Sequence, residues 1–159
     1  MYKGGQAWGF DAMMASIIFI AGIIVFYLYS LNLADQTDET LNKMLYDGNV
    51  IAESFLSEGA PDNWDSTNVQ KIGLQTNNKI NDTKLEIFYQ LSIIDYQKTK
   101  LLLNTNYNYY VFFQENITID EAQIEGIGSI PTNPKNLIKI TRVTIYKDKP
   151  TTISIDIWE

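Results

Sequence analysis

The sequence predicts an α+β protein: a long N-terminal helix, transmembrane in its first part and a stalk beyond, followed by a small head of short helices and an antiparallel β-sheet. Three stretches carry the prediction. Residues 12–31, AMMASIIFIAGIIVFYLYSL, are twenty in a row without a charge. After them Leu41, Met44, Leu45, Ile51, Ala52, Phe55 and Leu56 recur at helical three-to-four spacing between charged residues, the pattern of one apolar stripe. From Tyr107 onward the period becomes two, in segments rich in Ile, Val, Thr, Tyr and Phe.

At about 1.5 Å per residue the uncharged stretch reaches roughly 30 Å, the thickness of a bilayer's hydrocarbon core. Its Ile, Phe, Val and Met side chains occupy every face of the helix, where a soluble helix needs only one apolar side. Lys3 and the terminal amine precede it and Asp35, Asp38 and Glu39 follow it, so the positive-inside rule puts the N-terminus in the cytoplasm and residues 32–159 outside. Trp8 and the pair Tyr27 and Tyr29 fall where amphipathic rings anchor at the two interfaces. A cleaved secretory signal fits less well. The apolar run exceeds the usual h-region of about 7 to 15 residues, and Ser30-Leu31-Asn32-Leu33 is a poor cleavage site.

The amphipathic pattern predicts that the helix continues out of the membrane to about residue 58, some 75 Å of rod at the helical rise. Gly59 and Pro61 stop it. Residues 59–64 read as a turn with Trp64 folded back as a plug, and 69–74 as a short extended segment. Residues 75–79 and 81–83 read as loop. Leu85, Phe88, Tyr89 and Leu91 predict a brief helix, and Asp95 caps a second over 96–103. Strands are expected over 107–113, 116–119, 137–146 and 151–158, with 147–150 as the hairpin turn and Gly126, Gly128, Pro131 and Pro134 marking a loop. Ile153, Ile155 and Ile157 share one face of the last strand, which is expected to pack on the outer half of the long helix.

Composition narrows the functions. Beyond residue 31 there are 18 acidic and 11 basic side chains, a net charge of −7, which argues against binding a phosphate backbone and hence against nucleic acid as a partner. The chain has no cysteine, so an exported head has no disulfides. Histidine is absent too, which removes the usual transition-metal ligand and the commonest general base; no cofactor is expected.

Lys3-Gly4-Gly5-Gln6 directly before the apolar helix resembles the leader of archaeal type IV pilin-like proteins, whose class III signal peptides set a basic residue, glycine and glutamine ahead of the span. Gly59-x-Pro61-x-x-Trp64, Asn68-Val69, Ile72-Gly73-Leu74, a strand bearing Arg142 and a closing Ile157-Trp158 are also similar to their ectodomains. The resemblance implies a pilin-like fold and a prepilin-type signal peptidase cutting on the cytoplasmic side, after Gly4 or Gly5, with Gly5 favoured so that Gln6 comes first. It divides the chain into a leader at 1–5, the long helix at 6–58 and the extracellular head at 59–159. Identical subunits then pack their helices as a filament core, through Ile17, Ile18, Phe19, Ile23, Ile24 and Phe26. In type IV pilins an acidic residue near the mature start pairs with a neighbour's terminal amine. Asp11 is the matching residue here, an aspartate at the sixth mature position where that family has a glutamate at the fifth. Read from the residues alone, Asp11 either ends the span with its carboxylate in water or, at the edge of hydrocarbon, needs an amine partner that fixes register between subunits.

Other motifs are weaker. Asn81-Asp82-Thr83 and Asn116-Ile117-Thr118 are glycan acceptor sequons on the outer side, so N-linked sugars are expected partners at Asn81 and Asn116. Asp35, Asp38 and Glu39 lack the alternating oxygen ligands and glycine turn of a calcium loop and read as a solvated helix face. Glu121 and Glu125 form no acid and base pair, and no nucleophile motif is visible. Gly126-Ile127-Gly128 reads as a turn and not a phosphate loop. The aromatic run Tyr107, Tyr109, Tyr110, Phe112 and Phe113 could stack sugars or a partner's rings, against the plainer reading that half of it is core and half is sheet surface. The expected function is that of a non-enzymatic filament subunit, anchored in the cell membrane before assembly and extracellular after it, serving adhesion or surface attachment. The alternative is a single-pass, membrane-anchored extracytoplasmic binding module that does not polymerise.

Overall fold

The computed structural model describes residues 5–115, 117–119 and 122–159, and the side chains of 8–30, 39–115, 117–119 and 122–159. It falls into two units, Met1–Thr40 and Leu41–Glu159. The first helix, α1 (Gly5–Phe55), runs through the point of division.

Within the second unit the last turns of α1 bury one stripe, Met44, Ile51, Ala52 and Phe55, against a four-stranded sheet and the small helices. Gly48 sits in the middle of that stripe. A Cβ there would run into Ile140 Cδ1 and come within 3.2 Å of Ile157 Cγ1, so the missing side chain is what lets the sheet approach the helix. Leu45, expected in the stripe, is 46% exposed instead, at its edge.

The end of α1 is closed by an elbow of extended chain. Leu74 donates its backbone N–H to Phe55 O at 3.0 Å, Gln75 to Ser57 O at 3.0 Å, and Ser54 Oγ donates to Ile72 O at 2.6 Å. The terminal helical carbonyls thereby gain partners that the helix itself cannot supply. Trp64 is buried beside them and donates Nε1–H to Gly73 O at 2.9 Å, the expected plug. Gly59 lies at φ 83°, a left-handed turn four residues past Phe55, so α1 ends before the boundary near residue 58 that Gly59 and Pro61 predict. The buried Lys84 ammonium donates to Glu58 O at 2.7 Å and Gln75 O at 2.9 Å, tying the following helix to the same elbow.

Residues 75–79, read as loop, belong instead to a hairpin, β1 (Gln75–Thr76) with β2 (Lys79–Ile80). Its turn residues Asn77 and Asn78 both have positive φ, 53° and 62°, which asparagine tolerates and a tight hairpin requires. Two helices follow, α2 (Asp82–Ile94) and α3 (Tyr96–Leu102), the second capped as expected by Asp95, whose side chain accepts from Lys98 N.

The strands are β3 (Asn108–Phe113), β4 (Ile117–Ile119), β5 (Ala122–Ile124), β6 (Ile127–Gly128), β7 (Leu137–Tyr146) and β8 (Lys149–Trp158). The main sheet is antiparallel in the order β6-β3-β8-β7, and β4 and β5 form a separate hairpin. β5 and β6 were not expected; Ile127-Gly128 is a strand and not a turn. The β7–β8 turn is also tighter than 147–150, with only Lys147 and Asp148 outside the strands, both at positive φ. Ile153, Ile155 and Ile157 are fully buried on the inner face together with Tyr109 and Val111, so the sheet's core face is the one the alternation predicts. Arg142 Nη2 donates to Asn49 Oδ1 at 2.6 Å and pins β7 to α1.

Candidate functional site

Trp8–Ser30 is the one helix among the described residues long and apolar enough to cross a membrane, judged by length and composition: 23 residues of mean hydropathy 2.3, with no part of its most apolar window buried by the rest of the chain. Ile17, Ile18, Phe19, Ile23, Ile24 and Phe26 are between 49% and 73% exposed. Three consecutive positions on a helix point 100° apart, so Ile17, Ile18 and Phe19 alone cover most of its circumference. Leaving such a side chain in water costs ~1.5–3 kcal/mol relative to full burial, which makes this surface one that calls for an apolar surrounding. Ser16, a polar residue within it, donates its hydroxyl to Ala12 O at 2.8 Å and so needs no partner from outside.

Asp11 is exposed one turn inside the beginning of the described side chains. Lys3 and Gly4 lie outside the described residues. Gly5 and Gln6 open α1 in their backbone, the side chain of Gln6 being outside the described ones. Asn116 and Glu121 also lie outside. Asn81 is half-buried at the start of α2, where it is the N-cap and not a loop residue as expected: its Oδ1 accepts from Lys84 N at 3.1 Å and its Nδ2 donates to Thr76 Oγ1 at 3.3 Å. A sugar on Nδ2 would leave the capping oxygen free to act, since the two functions use different atoms. Among the described residues no group of three or more His, Cys, Asp or Glu side chains could hold a metal ion.

The residue that sequence reasoning missed is Asp156. Alternation in β8 places it opposite the core face, which predicts a solvated carboxylate, yet only 7% of it is exposed. Tyr110 of β3 and Lys139 of β7 stand directly across from it on either side. Its Oδ1 has no hydrogen-bond partner among the described residues, and the Lys139 ammonium lies 3.8 Å away, an ion pair too long for a hydrogen bond. Burial raises its pKa above the ordinary 3.8, and Lys139 offsets this only in part. Above pH 3.8 the unfolded chain therefore releases a proton that the folded protein still holds, so stability falls as pH rises toward the raised value and stays lower beyond it. Asp156→Asn lacks this titration. Urea unfolding of the two proteins is expected to give similar stabilities near pH 3 and an advantage to the variant that opens through the acid range and persists at pH 7; equal stabilities at all pH values would contradict the reading.

The chain is thus a small protein with one N-terminal apolar helix and a head of short helices and antiparallel sheet, consistent with a pilin-like fold in general and compatible with a single-pass architecture. No protein-family model, curated protein or solved structure matches it.

Proposed function

We propose that the protein is a non-enzymatic structural subunit of an extracellular type IV pilus-like filament. Its apolar helix first resides in the cell membrane and then packs with the helices of identical subunits, leaving the sheet-bearing head outside for adhesion or surface attachment. The observation that carries this reading is the helix Trp8–Ser30, apolar on every side and uncovered by its own chain. Lipid satisfies such a surface, and so does a bundle of copies, so exchange of one apolar surrounding for the other is energetically mild. The leader Lys3-Gly4-Gly5-Gln6 supports processing by a prepilin-type signal peptidase before the pilus assembly machinery acts. N-linked glycans at Asn81 and Asn116 belong to the same proposal.

The test is the N-terminal sequence of the protein in material sheared from the cell surface, viewed in parallel by electron microscopy. A start at Gly5 or Gln6 in visible filaments is the expected result. An intact Met1-Tyr2-Lys3 in membranes, with no protein in any filament, would favour the non-polymerising anchor. Asp11→Ala is expected to reduce filament yield severalfold while membrane insertion is retained, because the carboxylate is assigned to pairing between subunits and not to entry into lipid. Unchanged yield would remove Asp11 from assembly.

A further inference from the structure

The outer face of the main sheet carries a groove that the core does not use. Tyr110 and Phe112 alternate along β3 onto this face, half-exposed, with their rings near-parallel at 29° and their centroids 5.8 Å apart. Beside them β8 supplies Asp156, whose Oδ1 has no hydrogen-bond partner among the described residues, and the loop segments around β6 supply Glu125, Ile130 and Pro131 as the opposite wall. The open groove measures about 420 Å³, within the range of small-ligand sites. Its floor is held in place by Gly126, where a Cβ would come 2.5 Å from Tyr110 Cζ and 2.6 Å from the Tyr110 hydroxyl oxygen, so the ring lies directly on the glycine backbone.

A carboxylate oxygen more than nine-tenths buried without a hydrogen bond is costly, and natural structures retain few such groups without a use. Here it borders half-buried aromatic rings, which suits a ligand with an apolar face and O–H donors along its edge. A cationic ligand suits the groove less, because the Lys139 ammonium is already 4.9 Å over the Phe112 ring and 3.8 Å from Asp156 and would repel it. We infer that the groove binds a neutral pyranose residue of a glycan, with Tyr110 and Phe112 against the sugar's C–H face and the Asp156 carboxylate accepting a hydrogen bond from a hydroxyl. Glu125, exposed at the rim, accepts a second. All of these residues lie within Leu41–Glu159, so the inference does not rest on whether the apolar helices polymerise.

The full-length protein, purified in a zwitterionic detergent without a sugar headgroup, is titrated with cellohexaose, maltohexaose, mannohexaose and chitohexaose, and with spermidine as a cationic probe. Saturable binding of at least one oligosaccharide is expected, weakened about tenfold or more in Tyr110→Ala, in Phe112→Ala and in Asp156→Asn. Circular dichroism confirms that each variant is folded, and the half-exposed aromatic positions together with the near-isosteric asparagine keep the comparison available if one variant fails. Failure of the folded wild type to bind any of the oligosaccharides would overturn the inference, as would sugar binding that survives all the substitutions. Spermidine binding lost in the variants, without sugar binding, would overturn the ligand class.

Discussion

Arginine at both Ile20 and Ile24 is expected to keep the protein out of the membrane. Both positions lie near the middle of Trp8–Ser30 and both are uncovered by the rest of the chain. One arginine at the centre of a span costs ~2.5–3.5 kcal/mol on the insertion scale, so two cost on the order of 5–7 kcal/mol, and neither is close enough to an end for its guanidinium to reach water easily. After an alkaline carbonate wash the wild type is expected in the membrane pellet and the double variant in the supernatant or in aggregates. Valine at the same two positions is expected to leave the pellet fraction unchanged. Among the described residues the buried apolar core begins at Met44, so the substitutions do not touch it, and a near-ultraviolet spectrum of the head checks that insertion and not folding has been lost. A double arginine variant that still resists the wash would mean that this helix is not what holds the protein to membranes.

Gly73→Ala is expected to be among the most damaging single substitutions in the head. A Cβ at this position would run into Gly59 N and lie 2.5 Å from Ser57 O and 2.6 Å from Glu58 C, all backbone atoms that cannot rotate away. Nor can the segment back off. Ser54 Oγ holds Ile72 O, Phe55 O holds Leu74 N, and Trp64 Nε1 holds Gly73 O, so any retreat breaks buried hydrogen bonds on both sides of the glycine. Overpacking with loss of these bonds is expected to cost ~3 kcal/mol or more, a fall in melting temperature on the order of 10 °C. Gly48→Ala offers the comparison. Its Cβ meets the Ile140 and Ile157 side chains, whose rotamers can adjust, and the cost is expected nearer ~1 kcal/mol. Thermal melts of the two variants check the order; a Gly73→Ala protein as stable as the wild type would contradict the elbow's role.

What the sequence made legible was local. The uncharged run and the Asp95 cap show through residue type within a few residues, and the stripe that includes Met44, Ile51 and Phe55 and the alternation in β7 and β8 show through periodicity. The hairpin at Asn77-Asn78 and β6 escape because two residues hold no measurable period, and β5 because Ala122-Gln123-Ile124 has a single β-branched residue; their pairing partners fix them instead. Asn81 reads as loop because its capping role depends on where α2 begins, which a polar run of Asn, Asp and Thr does not mark sharply. Asp156 was illegible for a deeper reason. Its position between Ile155 and Ile157 correctly gives its face, but its burial comes from the cross-strand neighbours Tyr110 and Lys139, far away in the chain and brought beside it only by sheet register.

The central claim is that the helix uncovered in the single chain ends among copies of itself. Because the protein contains no cysteine, Ile17→Cys and Phe26→Cys can be introduced together as its only thiols, on the apolar helix, and oxidised in material sheared from the cell surface. The account predicts a ladder of disulfide-linked multimers from that material, abolished by prior denaturation into monomers. Single-chain bands alone, with the protein confined to the membrane fraction and absent from sheared filaments, would contradict it.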